Sequence, residues 1–173
     1  MQLNPYGADA VNLAAALADR RPASTEELAE RCRVAGLIIE GAVTAADLRT
    51  VLAALDAWEH VVDAPDERAR AARLNDMLAA SASHPRLTDH GDGGWHLHYR
   101  EEHRPFGETL HALIAVGTAL HLVGRGMHRL GRCAVPECGL IFADTSRTGR
   151  QRYCSQRCAN RDAVRRHRDR ARG

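Results

Sequence analysis

From the N-terminus to about Ser83, apolar residues recur at three- and four-residue intervals, the spacing that places them on one face of an α-helix. Asp9 to Arg20 reads as a small apolar helix, and Ser24 with Glu27 forms a capping box that opens a second helix running to about Arg33. Ala35 to Gly41 is apolar but too short for its pattern to choose between helix and strand. Thr44 with Asp47 caps a third helix, in which Leu48, Val51, Leu52, Leu55 and Val62 share a face. Pro65 suits the first turn of a fourth, with Asp66 and Glu67 at its positive end and Leu74, Met77 and Leu78 facing inward. That helix should stop near Ser83, ahead of Pro85.

Between Arg86 and Arg100 the period falls to two. Leu87 to His90, a turn at Gly91-Asp92-Gly93-Gly94, and Trp95 to Tyr99 predict a β-hairpin. Phe106 to Val123 returns to helical spacing, with Leu110, Leu113, Ile114, Gly117 and Leu120 on one face and His121 flanking it where an apolar residue would have continued the stripe. Gly124 and Gly126 end this helix and mark the boundary of the pattern. The expected fold is therefore mainly α with a small β-hairpin, an α+β chain with a helical body over residues 1–127 and a module of different composition over residues 128–173.

Composition supports one domain plus a small module: 173 residues, 45% hydrophobic but only 4% aromatic, so the core must be mostly Leu, Ala and Val. No apolar run approaches the roughly 20 residues that span a bilayer, and the apolar stretch Val11 to Ala18 is short and followed by Arg20 and Arg21. Secretion and membrane spanning are disfavoured, and a cytoplasmic location is expected. Charge becomes informative when the chain is divided. From Arg125 onward there are 13 Arg against Glu137, Asp144, Asp162 and Asp169, a net of +9; the rest carries the other 11 Arg and 18 acids, a net of −7. An acidic body joined to a strongly basic end is the asymmetry expected of a chain whose one part meets a polyanion.

Four of the five cysteines lie in that basic end. Cys133-Ala-Val-Pro-Glu-Cys138, 15 intervening residues and Cys154-Ser-Gln-Arg-Cys158 give two close pairs, the arrangement by which four thiolates hold one tetrahedral Zn²⁺. Two disulfides or four ordinary buried thiols are the alternatives; in a reducing compartment paired cysteines hold metal more often than they bridge. Four protein thiolates leave no open position for an activated water, so the expected zinc is structural. Pro136 and Gly139 suit a tight knuckle, Leu140 to Ala143 with Gln151 to Tyr153 suit a hairpin around Thr148-Gly149, and Ser155 suits an N-cap that places Cys158 in the first turn of a final helix. Knuckle, hairpin and a helix carrying the last ligand form a treble-clef-like layout. Arg150, Arg152, Arg157 and Arg161 can offset the formal −2 of a four-thiolate zinc.

In the final helix Arg157, Arg161, Arg165, Arg168 and Arg172 recur along one face while Arg166, His167 and Arg170 fill another, and beyond Val164 no apolar stripe remains to dock it. Arg at this spacing suits phosphates and base edges, so Arg161, Arg165, Arg166, Arg168, Arg170 and Arg172 are the candidate nucleic-acid contacts; a solvated Arg-rich tail is the alternative.

At these residues the chain resembles the CGNR zinc finger family, bacterial proteins with an N-terminal ABATE domain regarded as stress-induced transcription regulators. The resemblance is carried by Cys133-x4-Cys138, Leu140-Ile-Phe-Ala-Asp144-Thr-Ser146-Arg147, Arg150-Gln-Arg-Tyr153-Cys154-Ser155 and Cys158-Ala-Asn160-Arg161, and more weakly by Arg73-Leu74-Asn75 and Pro85-Arg86-Leu87 in the body. It implies DNA binding by the finger and a sensing or assembly role for the body. Ala159 departs from the family's Gly: it would be strained at positive φ and harmless in a first helical turn. Asn160 and Arg161 match the motif and would brace the zinc knuckle through hydrogen bonds to sulfur or backbone.

His96 and His98 share a face of the predicted strand, near His84, His90 and His103, and read either as a second metal or pH-sensitive site or as the polar face of a strand. Cys32 reads as a small buried residue rather than a redox sensor, and Trp58 and Trp95 as core or hairpin packing. No nucleophile motif, phosphate-cradling glycine loop or metalloprotease motif occurs, so the chain is expected not to be an enzyme. The expected function is a cytoplasmic transcription regulator that binds zinc and DNA, with an unidentified small-molecule or protein effector, homodimerisation allowed and no membrane partner. The alternative is a zinc-finger protein or RNA interaction module without specific DNA binding.

Overall fold

Three of the five helices of the body begin where a short polar side chain at the N-cap takes an otherwise unpaired backbone N–H. The computed structural model describes residues 7–39, 41–89, 95–99, 101 and 103–171. Its first helix, α1 (Ala8–Asp19), starts at Gly7, whose φ of 61° and contact with the Gly117 backbone leave no room for a side chain. α2 (Thr25–Val34) is capped by Ser24, whose hydroxyl accepts the Glu27 N–H at 3.2 Å; the Glu27 carboxylate accepts from Ala23, one residue before the cap. α3 (Ala45–Val62) carries the full box, Thr44 Oγ1 accepting from Asp47 N and Asp47 Oδ2 from Thr44 N. α4 (Glu67–Ser81) is capped by Asp66, whose carboxylate accepts from Ala69 N at 2.8 Å. Pro65 therefore lies just before the cap and not in the first turn, because the carboxylate captures the free N–H groups one residue later.

Arg86–Thr88 (β1) pairs antiparallel with His96–His98 (β2), Leu87 opposite Leu97. The predicted turn, Gly91 to Gly94 with His90, lies outside the described residues. Trp95, expected to pack, is 72% exposed, and Leu87 and Leu97 are also exposed, because the hairpin stands away from the helices instead of lying on them. Trp58 by contrast is fully buried and donates its indole N–H to Thr118 Oγ1 at 2.8 Å; that hydroxyl in turn donates to the Ile114 carbonyl.

The centre of the fold is α5 (Phe106–Arg125), against which α1, α3 and α4 pack. By length and by a mean hydropathy of 1.3 this helix is apolar enough to cross a membrane, which corrects the expectation that no such run exists; 56% of the stretch is buried inside the fold. Its apolarity is that of a helix surrounded by others. Gly126, at φ 119°, closes it.

His121 is inside this core with no exposed surface, not on its flank. Its Nε2 lies 3.2 Å from the Arg129 carbonyl, which can only accept, so Nε2 carries the proton and donates. Burial holds its pKa below the usual histidine range, so the ring is neutral. Cys32, also fully buried, has its thiol pushed up to about 11 by burial, the state of an inert core residue.

The chain then forms a second strand pair, Leu130–Arg132 (β3) with Ile141–Ala143 (β4), and a last helix, α6 (Gln156–Arg170). Leu130, Ile141 and Ala143 belong to the same apolar cluster as Val11, Leu17, Leu55 and Trp58. Asp19 accepts the Ile141 N–H at 2.8 Å, and Arg132 donates to Asp63 and Glu59 at 2.7 and 2.8 Å. The base of the zinc segment is thus joined to α1 and α3 by apolar burial, one buried-edge hydrogen bond and a bidentate ion pair.

Candidate metal centre

The two cysteine pairs are brought together from different elements. Cys133 and Cys138 lie on the connection between β3 and β4, which closes in a turn where Cys138 N donates to Val135 O at 2.9 Å with Pro136 at the second position. Cys133 N donates to Leu140 O and Ala134 N to Arg152 O, both at 2.8 Å, so the knuckle is stitched to the segment that leads to the second pair. Ser155 caps α6 by accepting the Cys158 N–H at 3.3 Å, placing Cys158 in the first turn as expected.

The four sulfurs all lie within 4.8 Å of one another. Cys138 to Cys154 is 3.6 Å, and Cys158 is 3.7 Å from both Cys154 and Cys138. A tetrahedron with Zn–S bonds of about 2.3 Å has sulfur–sulfur edges of about 3.8 Å, whereas a disulfide requires about 2.05 Å. The five cysteines are free thiols, and the donor set fits one Zn²⁺ with no open coordination position. Cys133 and Cys158 are buried together with Val135 in a small apolar cluster against which Tyr153 packs.

The hairpin expected between Leu140 to Ala143 and Gln151 to Tyr153 does not form; Ile141–Ala143 pairs upstream with Leu130–Arg132 instead. The reason is Asp144. This buried carboxylate accepts from Ser146 N at 2.9 Å, from the Ser146 hydroxyl and from Gln151 N at 3.0 Å, folding residues 144–151 into a loop and taking the N–H a strand would have used. Burial alone would raise the Asp144 pKa, but the Ser146 hydroxyl, the Gln151 and Ser146 N–H groups and the Arg129 charge hold it below the usual carboxylate range. Arg129 lies beside it at 3.6 Å and donates to the Ser146 carbonyl. Gly149, at φ 65°, passes so close to the guanidinium that a Cβ would lie 2.6 Å from its central carbon.

α6 touches the rest of the molecule mainly through Cys158 and Asp162, its two buried residues. Tyr153 donates its phenol to Asp162 at 2.6 Å, and Asp162 also pairs with Arg165 and, at 3.0 Å, with Arg166. Of the candidate nucleic-acid contacts, Arg165 and Arg166 are thus turned toward Asp162, and Arg161 lies 3.5 Å from Glu137 of the knuckle. Arg168 has no ion-pair partner among the described residues, Arg170 donates only to the Arg166 carbonyl, and Arg172 lies outside them. Asn160 is exposed and accepts from Gln156 Nε2 at 2.9 Å, while Arg161 reaches the knuckle through Glu137. Ala159 is helical, where an alanine is unstrained. His96 and His98 fall on β2, opposite Thr88 and Arg86, and the His96 side chain lies outside the described residues. The structural roles of Arg129, Asp144 and Asp162 were not read from sequence, where the two aspartates figured only among the four acids of the basic end and, for Asp144, in the motif of the resemblance.

Residues 129–171 match the family model of the CGNR zinc finger. The match and the sulfur geometry agree on one zinc ion held by Cys133, Cys138, Cys154 and Cys158. No curated protein matches the chain.

Proposed function

We propose that this chain is a cytoplasmic, non-enzymatic transcription regulator in which a structural zinc presents α6 to duplex DNA. The observation that carries the reading is the one-sided docking of α6: Cys158 and Asp162 face the finger, Ala159 is half-buried, and the rest of a 15-residue helix carrying Arg161, Arg165, Arg166, Arg168 and Arg170 is exposed. The attachment of the zinc segment to the acidic body uses Arg132, Ile141 and apolar strands, so the helix's positive charge is not consumed there. Several arginines near a duplex act through counterion release, a favourable and strongly salt-dependent contribution.

In this reading the finger is a treble-clef variant and the helical body is an ABATE-like unit with a sensing or assembly role. A stress signal, transmitted as a small-molecule or protein effector, or self-association of the body, would bias how the finger is presented. The test is titration of the zinc-loaded full chain into labelled duplex DNA at several salt concentrations, beside an Arg161→Glu/Arg168→Glu variant. Expected are a steep fall of affinity with salt, loss on chelation, and loss in the variant, which keeps its zinc. Unchanged affinity in the zinc-loaded variant would remove α6 as the DNA-contacting element.

A further inference from the structure

The exposed surface of α6 is not uniformly basic. At 100° per residue, Cys158 and Asp162 define the docked side, and the opposite side is centred on Asn160, with Gln156, Ala163, Val164 and His167 beside it. Arg157, Arg161 and Arg168 run along one edge of this strip and Arg166 and Arg170 along the other. The first edge borders a groove of about 590 Å³ that Asn160 and Val164 also line.

Two members of the strip, Asn160 and Val164, are not among the buried residues that dock α6 on the finger. Val164 is 50% exposed and belongs to neither apolar cluster. A β-branched residue on a solvated helix face adds no helix stability over alanine. Asn160 is held in place by the 2.9 Å hydrogen bond that its carbonyl accepts from Gln156, and among the described residues its NH₂ group has no protein acceptor. A steadied amide with an open donor and a second lone pair suits the paired contact to adenine N6 and N7, and an exposed valine suits the thymine methyl.

Resting on the DNA-binding reading above, we propose that Asn160 and Val164 form a base-reading pair that selects A·T-containing duplex sites through the major groove, with the flanking arginines on the phosphates. The two lie about 6 Å apart along the helix, close to two base-pair steps of about 3.4 Å. A helix about 10–12 Å across matches a major groove about 12 Å wide, so arginines on its two edges meet the two backbones. The narrow, deep major groove of A-form RNA does not admit a helix, and an acidic peptide would leave the amide and methyl strip unused.

The test uses the zinc-loaded full chain: selection from a randomised duplex pool, then titration of the selected duplex and a scrambled one against the wild type and Asn160→Ala/Val164→Ala. The wild type is expected to select sites with an A·T pair in common. The double variant should lose about tenfold or more of the preference while its zinc content, its affinity for the scrambled duplex and its salt dependence stay unchanged. Binding without sequence preference, selection of sites with no A·T requirement, or an undiminished preference in the variant would each overturn the proposal and leave DNA binding intact. A wild type that binds no duplex at all would overturn the DNA-binding reading and this one with it.

Discussion

The helical body and the zinc segment solve the same problem with different materials. The body buries Trp58, Leu55, Leu110, Ile114 and their neighbours in one apolar cluster around α5, tied across by the Trp58–Thr118 and Asp47–Gly107 hydrogen bonds between residues 60 apart in sequence. Apart from Ile141 and Ala143, which join the body's cluster, the segment from Cys133 to Arg170 has only Cys133, Val135 and Cys158 as buried apolar residues. What holds it is four sulfurs, the Asp144 loop and the Tyr153–Asp162 contact. A stretch that short cannot bury enough surface to offset its conformational entropy, so the metal supplies what the core supplies elsewhere. The strands β3 and β4 belong to both, with their apolar residues in the body's cluster and the first cysteine pair on the connection between them.

The difference is broken most severely by removing the metal. Structural zinc contributes about 10–16 kcal/mol in finger peptides, so Cys154→Ser or a strong chelator should unfold the knuckle and α6. Hydrogen exchange is expected to show residues 144–171 losing protection while residues 45–62 and 106–125 keep theirs. Equal loss in both regions, or none, would show that the two are not held by separate means. The reverse lesion is Trp58→Ala, which empties the centre of the body and should cost about 3–5 kcal/mol. It should lower the melting temperature by about 10 °C while the folded protein still carries one zinc per chain, read by calorimetry and metal analysis.

A smaller effect comes from Asp47, which joins the starts of α3 and α5 by accepting the Gly107 N–H at 2.7 Å as well as that of Thr44. Burial works to raise its pKa, but the bonds from Gly107 and Thr44 hold it below the usual carboxylate range. A carboxyl depressed in the folded state stabilises above its unfolded pKa of about 3.9, and that contribution is lost as pH falls through the folded value. Asp47→Asn should therefore lower stability by about 1–2 kcal/mol at pH 7, and the gap from wild type should shrink on acidification toward pH 3. Urea melts of both proteins at the two pH values check this; a gap that stays constant or widens would assign the stabilisation to something other than the ionised carboxylate.

Helices α1 to α5, the Ser24 and Thr44 caps, the cysteine pairs and the Ser155 cap were legible from residues three or four apart, because period, capping and ligand spacing are local properties of the chain. The division of charge between an acidic body and a basic end was equally open to counting. Only the tertiary structure decided that β4 pairs upstream with β3, that Trp95 stands exposed and that His121 lies buried. It alone set Asp144 and Arg129 as the pins of the zinc loop and turned Arg165 and Arg166 toward Asp162, leaving Asn160 and Val164 outward. These outcomes depend on which distant group reaches a given N–H, charge or ring first, and that competition is settled by packing across the fold rather than by spacing along the chain.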